Sequence, residues 1–279
     1  RGATVQELLE LRRYLSGGQA RRSLLRVQEA TAVPATPSAA WTGFSVSSGD
    51  NLETMLLAHP VASCGSGAEQ AVGFVASILD GPPVRTDVLD AFGASRRVAL
   101  VLFTNHPSSR TVGEATGGRV TGALAEAPVY LGGEQPLLVA VHRQVPSLTG
   151  SAPLWNGLGM TQDLVALAAA VEAGDLGVGD AKVFGSVFMC GEKALRSLVS
   201  QNCWIPWTAP SDDVQAVVLH HQEPAAEVWS RLCRSLAATH GQGFREMAYL
   251  PAVPGFAEAA RATVLAAEQE GWDSGDEEE

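Results

Sequence analysis

Three histidines, His59, His106 and His142, each close an apolar run that reads as a β-strand. An imidazole titrates near neutrality and binds metals well, so three strand ends meeting at one edge of a sheet would make a pocket for a metal ion or a small ligand. The competing expectation is that each ring is solvated separately. His220 and His221 are adjacent at the end of another apolar run; neighbouring strand residues point to opposite faces, so these two rings would diverge. Asp212-Asp213 and the run Glu277 to Glu279 supply paired carboxylates, but no partner acid is placed for general acid–base work.

The remaining motifs are equally sparing. Cys64, Cys190, Cys203 and Cys233 are widely spaced, without a Cys-x-x-Cys pair or a matching histidine spacing, so they read as buried free thiols. Cys190 and Cys203 flank one helical stretch, where an approach is conceivable but not fixed by sequence. Ser66, in Cys64-Gly65-Ser66-Gly67, lacks the Gly-x-Ser-x-Gly context of a nucleophile elbow and reads as a turn residue. Gly132-Gly133 reads as a turn between two strands, with no phosphate-binding glycine pattern around it. No catalytic residue, metal site or cofactor is indicated.

Charge narrows the partners. The net charge is −11, and seven of the thirty acids lie in the last twelve residues, so the body is only mildly acidic. That leaves no basic stripe of the kind that neutralises phosphates, which argues against nucleic acid. The bases are 17 arginines and two lysines, Lys182 and Lys193, a skew read as coding bias. The longest apolar runs, Val98 to Phe103 and Leu164 to Val171, are far shorter than a transmembrane helix, leaving peripheral membrane association as the available membrane mode. The chain starts at Arg1 and not at Met, which is read as the trace of a preceding segment removed either by truncation or by processing.

The elements that must position these residues follow from periodicity. Residues 177–207 form the clearest unit: an apolar strand through Val183, Phe184, Val187 and Phe188, a helix with Leu195, Leu198 and Val199 on one stripe, and a Trp-rich strand. Strands are also expected at Met55–Ala58, Arg97–Phe103, Pro128–Leu131, Leu137–Val141 and Val214–His220. Helices are expected over Ala71–Asp80, Thr86–Phe92, Thr161–Ala173, Pro224–Thr239 and Phe256–Glu270, with Asn105–Gly118 as loop. Helices and strands without a regular βαβ repeat predict an α+β fold around a mixed sheet.

Around the core the chain carries appendages. Residues 1–30 read as an amphipathic arm, with Leu8 and Leu15 near one face and Arg12 and Arg13 late in the helix, suited to an anionic surface or a partner protein. Residues 31–49 read as a Pro/Ala/Thr/Ser linker, 50–240 as the core with a helical insertion near 61–90, and 241–279 as a last helix and acidic tail. Trp272, Asp276 and Glu277 mark that tail as a docking element for a basic partner.

Several stretches resemble the AlgH family, bacterial proteins with plant and algal forms in plastids. Leu52 to Pro60 (LETMLLAHP) resembles the family's opening strand, Val98 to His106 (VALVLFTNH) its buried strand ending near a histidine, and Pro128 to Gly133 (PVYLGG) its strand and Gly-Gly turn. Gly177 to Trp204 is similar to the plant-type block, and Trp229, Leu232, Cys233 and Leu236 to the closing helix. The chain departs from the pattern in an apparent insertion between Pro60 and Asp90, in Met189-Cys190-Gly191 where the family has Gly-Trp, and in lacking Asn-Arg-Pro between Arg110 and Gly118.

The resemblance implies an α+β core with a partly coiled mixed sheet and no established enzymatic activity. It further implies a plastid protein, stromal or peripheral to the thylakoid, acting through contacts with subunits of a larger complex; a mitochondrial location is the alternative. Two other functions remain open: a ligand- or metal-binding protein or enzyme using His59, His106 and His142, and a plastid regulatory or assembly factor.

Overall fold

The computed structural model describes residues 44–47, 55–58, 72–80, 97–200, 204–219 and 225–249. Their eleven strands are β1 (Ser45–Val46), β2 (Met55–Ala58), β3 (Val72–Asp80), β4 (Arg97–Phe103), β5 (Pro107–Thr111), β6 (Pro128–Gly132), β7 (Gln135–Arg143), β8 (Ala152–Pro153), β9 (Leu158–Thr161), β10 (Ala181–Gly191) and β11 (Trp204–Thr208). The helices are α1 (Val112–Ala115), α2 (Leu164–Glu172), α3 (Glu192–Ser200), α4 (Ser211–Leu219), α5 (Ala225–His240) and α6 (Gln242–Tyr249). This is an α+β fold with a mixed, largely antiparallel sheet flanked by helices.

One strand joins the sheet together. The order is β1-β11-β2-β3-β4-β10-β7-β9-β8, with β6 pairing β10 and β5 off this path. β10 pairs antiparallel with β4 and β7 and parallel with β6, the single parallel pairing among the described strands. A strand with neighbours on both sides and helices on both faces must be apolar at nearly every position, as Ala181 to Gly191 is.

The two faces have different helices. On one, Phe74, Leu102, Phe184, Val187 and Trp207 pack with Val214, Val217 and Val218 of α4 and with Trp229, Leu232 and Leu236 of α5. The opposite face is divided: Leu195 of α3 packs with Val75, Phe103, Cys190 and Trp204, while Leu164 and Leu167 of α2 pack with Val129, Ala140, Ala181 and Val183. The expected stripe on α3 is present, since Leu198 and Val199 pack beside Leu195.

Several expected elements change type. Residues 72–80 are a strand and not a helix: Phe74 and Ala76 go to one core cluster and Val75 to the other, and pairing with β2 and β4 rewards an extended chain buried on both faces. Residues 211–219 reverse the error. They form a helix, because Val214, Val217 and Val218 at spacing three and four bury one stripe while Ala216 is exposed, and the acids Asp212 and Asp213 sit in the first turn.

The stretch 105–118, read as loop, contains β5 and the one-turn helix α1. Thr111 accepts from Glu114 N at 3.3 Å while Glu114 Oε2 accepts from Thr111 N at 2.9 Å, a reciprocal capping box. α2 starts later than residue 161, which ends β9; Asp163 caps it by accepting from Ala166 N at 2.9 Å.

Gly132-Gly133 does not close a hairpin. β6 and β7 flank β10 on opposite sides, with Val187 registered to Gly132 on one and to Gln135 on the other, so the chain crosses over β10. A Cβ at Gly132 would run into Ser186 O, and one at Gly133 into the backbone of Val187 and Phe188. The pair is glycine because a backbone passes there.

The sheet reaches beyond the expected core limits. Phe44 is buried against Trp207, their rings stacked at 5.2 Å, and β1 pairs with β11, inside the expected linker. At the other end α6 packs on α5, where Trp229 Nε1 donates to Met247 O at 3.2 Å and Ser230 Oγ to Ala248 O at 2.8 Å.

Candidate functional site

Two polar constellations hang on the middle of the sheet. β10 supplies Lys182, inside a strand whose other side chains are almost all apolar, and Lys182 is 1% exposed. Its Nζ donates to Thr104 O at 2.7 Å and lies 4.0 Å from the centre of the Tyr130 ring on β6. Thr104 is itself fixed, since its N and Oγ1 both donate to Val72 O and Asn105 Oδ1 accepts from Val72 N at 3.0 Å. The lysine thereby ties β10 to the end of β4 and the start of β3.

Burial sets the electrostatics here. Desolvation holds the Lys182 amine well below its usual 10.5 and pushes the Tyr130 phenol up. A carbonyl acceptor and a ring face satisfy part of what water would have supplied.

The second constellation lies one register step away on β7. His142 is fully buried, opposite Ala181 on β10 and Gly159 on β9. Its Nδ1 is 2.8 Å from Arg143 O and its Nε2 is 2.7 Å from Ser151 Oγ. A carbonyl only accepts, so the neutral ring carries its proton on Nδ1 and presents a lone pair on Nε2 to the serine hydroxyl. Burial lowers the His142 pKa, partly offset by the bond to Arg143 O, which favours that neutral form. Ser151 is half-buried, in the loop before β8, and Met160 O lies 3.3 Å from its Oγ. Nearby, Arg143 pairs with Asp180 at 2.7 Å.

Sequence-expected residues fall out as follows. His106 lies just before β5, its carbonyl accepting from Leu131 N at 2.8 Å, and Leu131 registers with Ser186 on β10. His142 registers with Ala181 on the other flank of β10. Five residues of strand, roughly 16 Å, separate those registers, and the structure does not bring the two rings together. His59 lies outside the described residues, as do Leu8, Arg12, Arg13, Leu15, Trp272, Asp276 and Glu277. Cys190 and Cys233 are buried free thiols; desolvation pushes Cys190 up to about 12 and Cys233 higher still.

Sequence reasoning passed over Lys182 and Ser151. Lys182 did carry a signal, as one of two lysines and the one set inside an apolar strand. Ser151 had none, because its partner is fixed by the register of β7 with β9. Among the described residues no group of three or more His, Cys, Asp or Glu side chains is arranged to hold a metal ion, and no helix is long and apolar enough to cross a membrane.

No family model matches the chain. No curated protein matches it either. Among solved structures, it is similar to the solution structure of the AlgH protein from Pseudomonas aeruginosa, with 20% identity and a TM-score of 0.45 over 70% of this chain and 92% of that one. It is also similar to a crystal structure of a protein from Corynebacterium diphtheriae, with 17% identity and a TM-score of 0.44 over 66% of this chain and 87% of that one.

Proposed function

We propose that this chain is a non-enzymatic, AlgH-like accessory protein that acts through protein contacts, as a peripheral subunit of a larger plastid complex at the thylakoid. The observation that supports it is a contrast between inside and outside. Three groups with reactive chemistry of their own, the Lys182 amine and the Cys190 and Cys233 thiols, are sealed in the interior, where Lys182 works as a strut. Among the described residues, the large apolar side chains left exposed are Val165 on α2, at 56%, and Leu131 on β6, at 42%.

Those two share one side of the sheet. Leu131 lies two residues after Val129, hence on its face, and Val129 packs with α2. Ala169, one turn after Val165, is also exposed, and α2 carries no charge before Glu172. An uncharged outward helix face suits contact with another protein better than contact with water. The plastid location rests on the family resemblance of the sequence.

The test is purification from native organellar membranes. Comigration with a larger complex, lost in a Val165→Glu variant, is the expected result. Recovery only as a free monomer from both membrane and soluble fractions would sink the reading.

A further inference from the structure

We propose that Ser151 is an activated nucleophile, with His142 as its base, and that it accepts an acyl group from an activated acyl donor such as a thioester or aryl ester. The observation is the chain Arg143 O, His142, Ser151, with 2.8 Å at Nδ1 and 2.7 Å at Nε2. A nucleophile within hydrogen-bond reach of a base, and a base oriented by a third group, is the arrangement that activates a hydroxyl. Here the orienting group is a backbone carbonyl, which fixes the tautomer with the Nε2 lone pair toward Oγ.

The surroundings are shaped for the pair. Gly159 registers with His142 from β9, and a Cβ there would stand 2.7 Å from Ser151 Oγ and 3.0 Å from His142 Nε2. A side chain at 159 would force the two apart, so the bare position is what lets them meet. Gly150, just before the serine, has φ +86° and open space where a Cβ would be, and Ser151 itself is half-buried. His142 is fully buried, with the Ser151 hydroxyl as the side-chain partner of its Nε2.

The step balances without further reagents. Oγ attacks the acyl carbon, an Oγ–C bond forms, and the Oγ proton moves to His142 Nε2. The C–S or C–O bond to the leaving group then breaks, and the departing thiolate or phenolate takes that proton. Donor and serine become an acyl-serine and a free thiol or phenol, with no oxidation. One such event on the chain is a modification, so the inference goes beyond the docking reading and does not depend on it.

The experiment treats the full native chain with a fluorophosphonate probe and, separately, with p-nitrophenyl acetate, and maps the adducts by mass spectrometry. Ser147, exposed in the same loop region, is the internal control. Ser151 is expected to label at least tenfold faster than Ser147, with the preference abolished in urea. His142→Gln and Gly159→Ala are each expected to slow Ser151 at least tenfold while Ser147 is unchanged. Equal labelling of Ser147 and Ser151 in the native chain, or a preference that survives unfolding, overturns the proposal. Should the His142 variant not fold, the native Ser151 to Ser147 ratio still decides.

Discussion

Lys182 and His142 stand on neighbouring strands, one register step apart, and face opposite sides of the same sheet: Lys182 pairs with Val141, and His142 with Ala181. Both side chains are buried. Their consequences differ because of what lies at the far end of each. The Lys182 amine ends on a backbone carbonyl inside the core, whereas the His142 ring ends on the hydroxyl of a half-buried serine. The partner each group meets, a carbonyl for the amine and a hydroxyl for the imidazole, makes the first a strut and suits the second to the role of base proposed above.

The largest effect should come from the crossing that both regions share. Gly133→Ala places a Cβ against the Val187–Phe188 backbone of β10, and should destabilise the chain by about 3 kcal/mol in urea denaturation. A loss near zero would mean that β6 and β7 are not held on opposite sides of β10.

Next is the strut itself. Lys182→Ala removes a buried side chain and leaves Thr104 O without its donor, at a cost of roughly 2–3 kcal/mol. Lys182→Met keeps most of the volume and should cost about 1 kcal/mol. Equal costs for the two would mean that the lost bond to Thr104 accounts for the whole effect and that the packing of the side chain contributes nothing.

The same pair of proteins carries a pH signature. The folded-state pKa of Lys182 is depressed below its usual 10.5, so the unfolded chain binds more protons between the two values. Stability therefore rises with pH in that window. Wild type should gain on Lys182→Met as pH climbs toward 10.5 and level off above it, as read from urea midpoints. A flat difference would show that the amine titrates alike in both states.

The thiols extend the comparison to groups whose titration is governed mainly by burial. With burial pushing Cys190 up to about 12 and raising Cys233 as well, both should resist iodoacetamide at pH 8 in the folded chain and react in urea. Labelling of either in the native protein would show an opening in the core. The smallest effect is at the surface: Val165→Ser should change stability by less than about 0.5 kcal/mol while weakening any contact made through α2.

Much of the framework was legible in the sequence. The apolar runs of β4 and β10 and the stripe of α3 are where periodicity places them, because a residue buried on both faces of a sheet, or on one stripe of a helix, leaves its period in the sequence. Residues 72–80 and 211–219 were misread in opposite directions. Val72, Val75, Ile78 and Leu79 fit helical spacing, and only pairing on both sides by β2 and β4 makes that stretch a strand. Val214 to Leu219 is rich in β-branched residues, but its neighbour is the face of a completed sheet, which takes a helix.

The sequence by itself determined which segments must be buried, since an interior strand such as Ala181 to Gly191 has no water to satisfy polar side chains, and it determined the glycine pair at 132–133. Only the tertiary structure decided what those glycines are for and which polar groups meet. The crossing over β10, the reach of Lys182 to Thr104 and the meeting of His142 with Ser151 join residues that are distant in sequence or folded back by strand register. Register is settled when the strands pair, by the burial of one face against the other, so which residues end up opposite one another is seen only in the assembled sheet.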